Sequence, residues 1–337
     1  MTYFRPGRGN GTVSSTLKTI NGTGADDTID LSGETSGRKV NAKGGDDSVI
    51  GSDHDDTIEG SSGDDTIHGG EGNDTIQGGN GSNTLNGGDD FDMLDYGDAS
   101  TGVTVSIDSN GAGTVSTAHI TDSFSSFEAI GGSKFDDVLS MLQGGTNVIH
   151  GRGGNDLITM SGVASQGALA DGGSGDDTIS TTLDRFIGDV AGGSGTDTFD
   201  TSLSWGQGVH VDLEAGTAYL IGNEIESFSV TGIENVIGTS NDDSITGKTS
   251  VANLIEAHSG DDTLSLGNSS FGNNTIRAGD GDDEVIVPGF FGDELDGGVG
   301  DDTLSASSSA SFSSGLSINL GTGDVAFSGN AFASATN

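Results

Sequence analysis

The chain has no cysteine, only 2 prolines and only 11 basic residues against 52 acidic ones in a length of 337 residues. Without cysteine, disulfides and thiolate metal sites are excluded, so a bound metal would be a hard cation held by oxygen atoms. The lysines and arginines are scattered, which excludes the clustered basic surface that nucleic acid or an anionic membrane requires. No apolar run approaches the roughly 20 residues of a membrane span. We therefore expect no nucleic-acid partner and no membrane span.

The formal net charge of -41 is the next unusual feature. Low hydrophobicity combined with high charge ordinarily predicts a disordered chain. The acidic residues, however, do not form runs, because most stand as Asp-Asp or Asn-Asp pairs followed by Thr or Ser and then by Ile, Leu or Val. Crowded carboxylates repel one another, and a divalent cation that takes oxygen ligands from several of them relieves the repulsion. The regular pattern therefore predicts a folded chain with bound divalent cations.

The acidic pairs recur with a period of nine residues. Residues 42–95 divide into the blocks AKGGDDSVI, GSDHDDTIE, GSSGDDTIH, GGEGNDTIQ, GGNGSNTLN and GGDDFDMLD, and residues 22–30 form an earlier block of the same kind. A fixed short period indicates a repeat architecture in which each repeat packs on its neighbours. The sixth position of these blocks is held by Asp27, Asp47, Asp56, Asp65, Asp74, Asn83 and Asp92.

These blocks resemble the repeats of the repeats-in-toxin (RTX) family, the haemolysin-type calcium-binding nonapeptide repeats with the consensus G-G-x-G-x-D-x-U-x. The resemblance implies a parallel β-roll in which each calcium ion bridges neighbouring coils. It also implies a secreted protein that leaves the cell through a type I secretion channel and carries an uncleaved C-terminal signal. Residues 1–20 lack the apolar segment of a cleaved signal, and residues 328–336 carry no recognisable C-terminal one.

The block pattern itself predicts a stacked coil. The first six residues of a block form a turn, in which Gly adopts positive φ at low steric cost, and the last three form a short strand. Two blocks then make one 18-residue coil, and Gly-rich turns such as those at Gly45, Gly63 and Gly72 direct backbone carbonyls toward the acidic side chain. Position eight supplies a narrow core of Val49, Ile58, Ile67, Ile76, Leu85 and Leu94.

Alternate blocks should place their turns on the same edge of the stack. This puts Asp47, Asp65 and Asn83 in one ladder of side chains. It puts Asp56, Asp74 and Asp92 in the other ladder.

The same period continues later in the chain in a diluted form. The blocks centre first on Asp137, Asn147, Asp156, Asp177 and Asp197, and then on Asp243, Asn253, Asp262, Asn274, Asp283, Asp293 and Asp302. Corresponding positions of the two sets lie about 105 residues apart, which indicates a larger repeat. Because strong Asp positions alternate with weak ones, we expect calcium mainly along one edge in these sets. An Asn ladder could close by hydrogen bonding without metal, and Asp293 stands outside this rule.

The predicted calcium ligands are the sixth-position aspartates and three turn glycines, namely Asp27, Asp47, Asp56, Asp65, Asp74, Asp92, Asp137, Asp156, Asp177, Asp197, Asp243, Asp262, Asp283, Asp302, Gly45, Gly63 and Gly72. The fifth-position acids are open between solvation of the turn and a secondary ligand role. They are Asp46, Asp55, Asp64, Asp136, Asp176, Asp242, Asp261, Asp282 and Asp301.

The predicted fold class is all-β, a parallel β-roll or β-helix solenoid with short strands that is interrupted by small strand-containing cassettes. Alternating runs at 103–107, 209–213 and 316–320 indicate half-buried strands in these cassettes. The expected organisation is a leader or cap over 1–21, a β-roll over 22–95, cassettes over 96–131 and 201–237, β-roll segments over 132–200 and 238–305, and an incomplete cassette over 306–337 that suggests a fragment of a longer chain.

The function classes follow from what accompanies the repeats. No His-Glu-x-x-His or Gly-x-Ser-x-Gly motif occurs, and basic residues are too few for the groove of a catalytic β-helix, so we expect no enzyme. The preferred function is an extracellular calcium-binding repeat protein that Ca²⁺ folds and that serves as a structural or adhesive surface segment. The alternative is the secretion and folding module of a larger RTX exoenzyme or toxin.

Calcium is the expected cofactor, and a cell-surface polysaccharide or another surface protein is left open as a further partner. Aromatic residues that could stack on sugars are few, and core packing is the favoured role for them. They are Phe124, Phe127, Trp205, Phe290 and Phe291.

Overall fold

The computed structural model describes residues 18–142, 147–161, 167–182, 188–204, 206–223, 227–249, 251–266, 273–287 and 293–306, with two further strands at 317–319 and 326–328. The expectations for residues 1–17, for Trp205, Phe290 and Phe291, and for most of 306–337 lie outside these residues.

The described residues contain short β-strands and no helix, as the all-β prediction requires, and hence none that could cross a membrane. In chain order the strands are β1 (Lys18–Asn21), β2 (Thr28–Asp30), β3 (Arg38–Asn41), β4 (Ser48–Ile50), β5 (Thr57–Glu59), β6 (Thr66–Gly70), β7 (Thr75–Gln77), β8 (Thr84–Gly88), β9 (Met93–Asp95), β10 (Thr104–Ile107), β11 (Gly113–Ser116), β12 (Thr121–Ser125), β13 (Ala129–Gly131), β14 (Val138–Met141), β15 (Val148–Gly153), β16 (Leu157–Met160), β17 (Ala168–Ser174), β18 (Thr178–Thr181), β19 (Gly188–Ser194), β20 (Thr198–Asp200), β21 (Val209–Asp212), β22 (Thr217–Leu220), β23 (Phe228–Thr231), β24 (Asn235–Ile237), β25 (Ser244–Thr246), β26 (Leu254–Glu256), β27 (Thr263–Ser265), β28 (Thr275–Asp280), β29 (Glu284–Val287), β30 (Glu294–Val299), β31 (Thr303–Ala306), β32 (Ser317–Asn319) and β33 (Ala326–Ser328).

The strands form two sheets that face each other across a thin core in a solenoid of about 13 coils. Sheet A, as we call the first, contains β1, β3, β5, β7, β9, β13, β15, β17, β19, β21, β22, β23, β25, β27, β29, β31 and β33. Sheet B contains β2, β4, β6, β8, β10, β11, β12, β14, β16, β18, β20, β24, β26, β28, β30 and β32. Successive strands of each roll pair in parallel with the strand one coil away, as in β5 with β7 and β4 with β6.

The position-eight residues build the core, as the sequence predicts. In sheet A the parallel register aligns Ile58 with Ile76 and Ile76 with Leu94, and in sheet B it aligns Val49 with Ile67. All of these side chains are buried. Full burial of one such aliphatic side chain stabilises the fold by roughly 1.5 to 3 kcal/mol. The stack therefore depends on the repeat, because a single coil would leave both faces of this row exposed.

The sequence leaves open whether the two cassettes interrupt or continue the stack, and in the structure they continue it. Strands β10, β11 and β12 form an antiparallel three-stranded meander within sheet B, in which β12 pairs in parallel with β8 below and β10 with β14 above. Strands β21, β22 and β23 form the same meander in sheet A, between β19 and β25. Each meander therefore lengthens one sheet by three strands while the other sheet keeps its parallel pairing.

The two meanders lie in opposite sheets because the larger repeat contains an odd number of strands. Strands β9 and β20 occupy corresponding places in successive larger repeats, and eleven strand positions separate them. Consecutive strands of the rolls alternate between sheets, so an odd interval moves each feature of the repeat to the other sheet. The edge that carries the Asp turns changes accordingly, from the sheet B edge after the first meander to the sheet A edge after the second.

Candidate calcium-binding turns

The sixth-position aspartates form continuous ladders along the edges of the solenoid. In each pair one carboxylate oxygen, Oδ1, accepts the backbone N–H of the equivalent residue one coil earlier, as in Asp74 from Asp56 at 2.7 Å and Asp156 from Asp137 at 2.8 Å. All fourteen predicted aspartates belong to these ladders, which run 27–47–65, 56–74–92, 137–156–177–197 and 243–262–283–302. The predicted grouping of alternate blocks on one edge is confirmed.

The second carboxylate oxygen, Oδ2, divides these aspartates into two groups. In ten of the fourteen it is buried and accepts no hydrogen bond. These ten are Asp47, Asp65, Asp74, Asp92, Asp156, Asp177, Asp197, Asp262, Asp283 and Asp302. A buried polar atom without a partner costs about 1 to 3 kcal/mol, and more when it carries charge. Ten repetitions of that cost along two edges indicate that these oxygens bind a ligand.

In seven of these ten blocks the first position is glycine, which lets backbone oxygens approach the carboxylate; in the other three it is Ala42, Ala257 or Ala278. A Cβ on Gly69 would lie 2.2 Å from Asp74 Oδ2 and 2.3 Å from the carbonyl oxygen of Gly87 one coil on. A Cβ on Gly151 would meet Asp156 Oδ2 at 2.3 Å in the same way. A side chain at Gly69 or Gly151 would therefore fill the space on which a carboxylate oxygen and a carbonyl oxygen converge.

The predicted turn glycines at position four lie in the same turns. Gly45, Gly63 and Gly72 have φ of +103°, +130° and +103°. A Cβ on Gly63 would lie 2.0 Å from the carbonyl oxygen of Gly45. Only glycine satisfies both the positive φ and this close approach. Whether their carbonyls bind calcium remains a prediction.

The donor set fits calcium through one carboxylate per turn supplemented by backbone oxygens. Within the described ranges no three Asp, Glu or His side chains converge on one point. An ion in these turns would therefore take its six to eight oxygens from Asp Oδ2 atoms and turn carbonyls together. Such a set favours calcium over magnesium, because magnesium requires a tighter octahedral geometry.

Burial raises the pKa of Asp74, of Asp262 and of further aspartates in these ladders. Desolvation is the main cause, followed among the pKa-raising effects by repulsion from neighbouring Asp side chains. The pKa of Asp74 and that of Asp262 rise to about 8, those of Asp92 and Asp156 to about 7, and those of Asp65, Asp177 and Asp283 to about 6. Without metal, the folded state therefore disfavours the ionised form of these Asp carboxyl groups.

This electrostatic opposition predicts a pH dependence in chelator. A pKa that folding raises above the ordinary Asp value of 3.8 contributes stability that is fully present below about pH 4 and lost as pH rises through about 6 to 8. In EDTA, the β-signal in far-ultraviolet circular dichroism should therefore be larger at pH 5 than at pH 8. Saturating calcium should remove the difference. A metal-free chain with more β-structure at pH 8 than at pH 5 would contradict this reasoning.

The other four predicted aspartates have Oδ2 bonded within their own turn, and in Asp56, Asp137 and Asp243 Oδ1 is bonded within the chain as well. In each turn the residue at position two is Ser or Thr, and its backbone N–H donates to Oδ2, at 2.6 Å from Ser133 to Asp137 and 2.7 Å from Thr239 to Asp243. The hydroxyl of the same residue adds a second bond. Thr23 and Ser52 likewise donate their backbone N–H to Oδ2 of Asp27 and Asp56, but their hydroxyls donate to Oδ2 whereas those of Ser133 and Thr239 donate to Oδ1.

Asn positions in the ladders close by amide hydrogen bonds, as the sequence analysis allowed. Asn253 donates Nδ2–H to Asn274 Oδ1 at 3.0 Å, and Asn274 donates Nδ2–H to Asp293 Oδ1 at 2.8 Å. This gives Asp293 a partner that the sequence analysis did not identify. The ladder that contains it runs along the sheet B edge, opposite Asp243 and its successors.

A buried polar cluster ends the first ladder on the sheet B edge. Asn83 donates Nδ2–H to Asp122 Oδ1 at 2.7 Å, and the Tyr96 hydroxyl donates to Asp122 Oδ2 at 3.0 Å. All three residues are buried. Burial and the neighbouring carboxylate raise the pKa of Tyr96, so its hydroxyl remains a donor. Both Asp122 oxygens are thus bonded to neutral donors, and we call this arrangement the Tyr96–Asp122–Asn83 cluster.

Sequence reasoning also missed two glutamates that end ladders. Glu128 Oε2 accepts the backbone N–H of Asp92 at 3.0 Å, and Glu234 Oε2 accepts that of Asp197 at 3.1 Å. The sequence carried a signal, because each Glu precedes an apolar residue by two positions, as a sixth-position Asp does. Their equivalence confirms the larger repeat of about 105 residues.

The fifth-position acids form a second, exposed ladder with the opposite direction. Asp64 donates its N–H to Asp46 Oδ1 at 2.9 Å, so each carboxylate accepts from the following coil. The acceptors are Asp46, Asp55, Asp64, Asp136, Asp176, Asp242, Asp261 and Asp282, and Asp301 donates its N–H to Asp282. A hydrogen-bonding role between coils therefore adds to the two roles left open.

Comparison with protein families agrees with this geometry. A model of the RTX calcium-binding nonapeptide repeat, in four copies, matches residues 39–67, 59–94, 143–159, 268–286 and 289–310. The chain carries RTX repeats. RTX repeats as a family bind calcium, which makes this chain a calcium-binding repeat protein with a β-roll architecture. A search of curated proteins finds no match. The matched segments contain eight of the fourteen ladder aspartates and neither meander. The ladder aspartates outside them are Asp27, Asp137, Asp177, Asp197, Asp243 and Asp262.

Proposed function

We propose that calcium folds this RTX chain outside the cell and that the resulting rod serves as a structural or adhesive surface segment. The observation that carries the proposal is the row of ten buried Oδ2 atoms without a hydrogen-bond partner. In seven of the ten turns a first-position glycine lets a backbone oxygen approach, as at Gly69 and Gly151, and carboxylate with carbonyl oxygen is the donor chemistry that calcium prefers. The ligands we propose are the ten aspartates that own these atoms, with turn carbonyls such as those of Gly45, Gly63 and Gly72.

Calcium concentration would set where the chain folds. Extracellular modules bind calcium at about 10⁻⁴ to 10⁻³ M. Because ligands that exist only in the folded chain couple binding to folding, the sites would remain empty in calcium-poor cytosol and fill after export. The RTX repeats support type I secretion as the route, since such repeats are typical of secreted proteins. Calcium binding only after export would keep the acidic chain unfolded while it passes through the secretion channel.

A solenoid of this kind offers length and rigidity more than a reactive site. The described acidic ladders lack clustered basic partners, and Phe124 and Phe127 pack in the core instead of forming a sugar-stacking surface. The second candidate, a secretion and folding module of an RTX exoenzyme or toxin, uses the same calcium chemistry. A catalytic domain encoded in the same gene would favour that candidate.

Equilibrium dialysis with radioactive calcium tests the binding directly. At pH 7.5 the full chain should bind several calcium ions with dissociation constants at or below about 1 mM. Tenfold excess magnesium should displace few of them, because the mixed carboxylate and carbonyl set is not octahedral. Binding of no calcium at 10 mM, or equal binding of both metals, would reject the proposal.

A further inference from the structure

The first aspartate of a ladder, which we call its first rung, does not lie in a turn with an unbonded Oδ2. The first rungs above the meanders are Asp137 and Asp243, whose Oδ1 atoms accept N–H bonds from Val103 and Val209 instead of from another acidic turn. Asp56 likewise begins a ladder, and its Oδ1 accepts the backbone N–H of Arg38. All three belong to the group whose Oδ2 is bonded by the Ser or Thr of its own turn. The start of a ladder and the Ser/Thr turn therefore coincide.

Position four of the block separates the two kinds of turn. In the four Ser/Thr turns it is Ala25, His54, Phe135 or Asn241, none of which has positive φ. In the turns with unbonded Oδ2 it has positive φ and is glycine except at Asp90. A residue with negative φ at this position keeps the turn closed on its own aspartate.

Ser61 provides an internal comparison. It also holds position two, but its turn has Gly63 at position four and its own φ is +78°. Its hydroxyl bonds Glu59 Oε1 at 3.0 Å, and Asp65 Oδ2 keeps no partner. A serine at position two is thus insufficient without the non-glycine residue at position four.

At two of these first rungs a basic side chain from the next coil hydrogen-bonds a backbone carbonyl of the turn. In later coils the first-position carbonyl, such as that of Gly172, converges with Oδ2 of the preceding aspartate. At two of the four Ser/Thr turns the first-position carbonyl accepts a bond from the coil above, from Lys43 Nζ to Gly22 at 2.7 Å and from Arg152 Nη1 to Gly132 at 3.0 Å. Arg152 also pairs with Asp95 at 2.7 Å. In these two turns the charged end of a Lys or Arg side chain therefore bonds the first-position carbonyl, which in later coils faces an Asp carboxylate.

From these contacts we infer that the Ser/Thr turns at Asp27, Asp56, Asp137 and Asp243 are metal-free starting rungs, so that calcium enters a ladder only from its second rung upward. The inference rests on the proposed calcium function and refines it. It narrows the fourteen predicted ligand aspartates to ten. The short sequence G-[S/T]-x-x-D-D, with no glycine at its fourth position, identifies a turn whose aspartate is held by hydrogen bonds within the chain and not by metal.

Two adjacent rungs of one ladder provide the matched test. Asp137→Asn and Asp156→Asn remove the same charge at the same block position in the full chain. With folding verified by circular dichroism at 10 mM calcium, equilibrium dialysis should count about one ion fewer for Asp156→Asn and no fewer for Asp137→Asn. Should Asp137→Asn fail to fold, Asp243→Asn and Asp262→Asn form the equivalent pair on the other sheet.

The outcomes separate this inference from the proposed function. Loss of an ion in Asp137→Asn equal to the loss in Asp156→Asn would overturn the metal-free rungs while leaving calcium binding intact. Retention of every ion in both variants, or absence of calcium from the unmodified chain, would instead reject the ladders as calcium sites.

Discussion

Removal of calcium with a chelator at pH 7.5 should convert the described β-solenoid largely to random coil. The chain carries a formal charge of -41, aligns many of its acidic side chains in ladders along the edges of the solenoid, and buries ten Oδ2 atoms that accept no hydrogen bond. Self-repulsion and the desolvation of these carboxylates oppose folding, and the thin core offers little reserve against them. Calcium offsets both effects because it neutralises the charge and ligates the oxygens. Far-ultraviolet circular dichroism should follow the transition, with a midpoint at about 10⁻⁴ to 10⁻³ M calcium.

Magnesium and monovalent salt are the controls for this transition. Salt screens exposed charges and would imitate calcium only if repulsion were the whole effect. Magnesium at the same concentration supplies equal charge without the flexible coordination that calcium has. Full β-structure in EDTA at pH 7.5, or equal folding by magnesium, would mean that the Oδ2 atoms are stabilised in some other manner.

The core and the Asp ladders could be predicted from the sequence because both depend on a strict local period. Once nine residues make a turn and a strand, Ile58 must align with Ile76, and Asp56 must lie beneath Asp74. The glycines at position four follow from the same turn. No tertiary information beyond the period was needed for these assignments.

The meanders could not be predicted to continue the stack, because their partners are distant and their pairing changes direction. Strand β10 pairs in parallel with β14 across the intervening antiparallel strands, and alternation of apolar residues reveals a half-buried strand but not its neighbour. The larger period of about 105 residues was visible. Its consequence, the exchange of sheets, required the number of strands within that period.

The roles of individual ladder positions were also beyond the consensus. Asp137 and Asp156 look equivalent in the block pattern, yet Ser133 bonds the first and nothing bonds Oδ2 of the second. The difference lies in the conformation of the turn, which depends on Phe135 at position four. Consensus matching weighs the acidic residue most heavily and so misses a distinction made two residues earlier.

Asn83→Asp should destabilise the protein even though it makes the block agree better with the RTX consensus. Asn83 donates from Nδ2 to Asp122 Oδ1 at 2.7 Å, and a carboxylate there would lose the donor and face a second buried carboxylate. Loss of a buried hydrogen bond together with a buried like charge costs about 3 kcal/mol. Urea unfolding at 10 mM calcium and pH 7.5 should measure this loss of unfolding free energy. The Tyr96 hydroxyl cannot compensate, because it already donates to the other Asp122 oxygen.

Asn73→Asp is the matched control, since it adds the same charge one block earlier. Asn73 Oδ1 accepts the N–H of Phe91 at 3.1 Å at the fifth position, and an aspartate can accept the same bond there. The control should therefore change the unfolding free energy by less than about 0.5 kcal/mol. If Asn83→Asp instead raised stability and bound one more calcium ion than the unmodified chain, the Tyr96–Asp122–Asn83 cluster would be a calcium site that the amide of Asn83 blocks. A loss of stability with no additional bound calcium ion would identify the cluster as the metal-free end of its ladder. One continuous solenoid would then contain both calcium-dependent and calcium-independent rungs, set by their positions in the ladders.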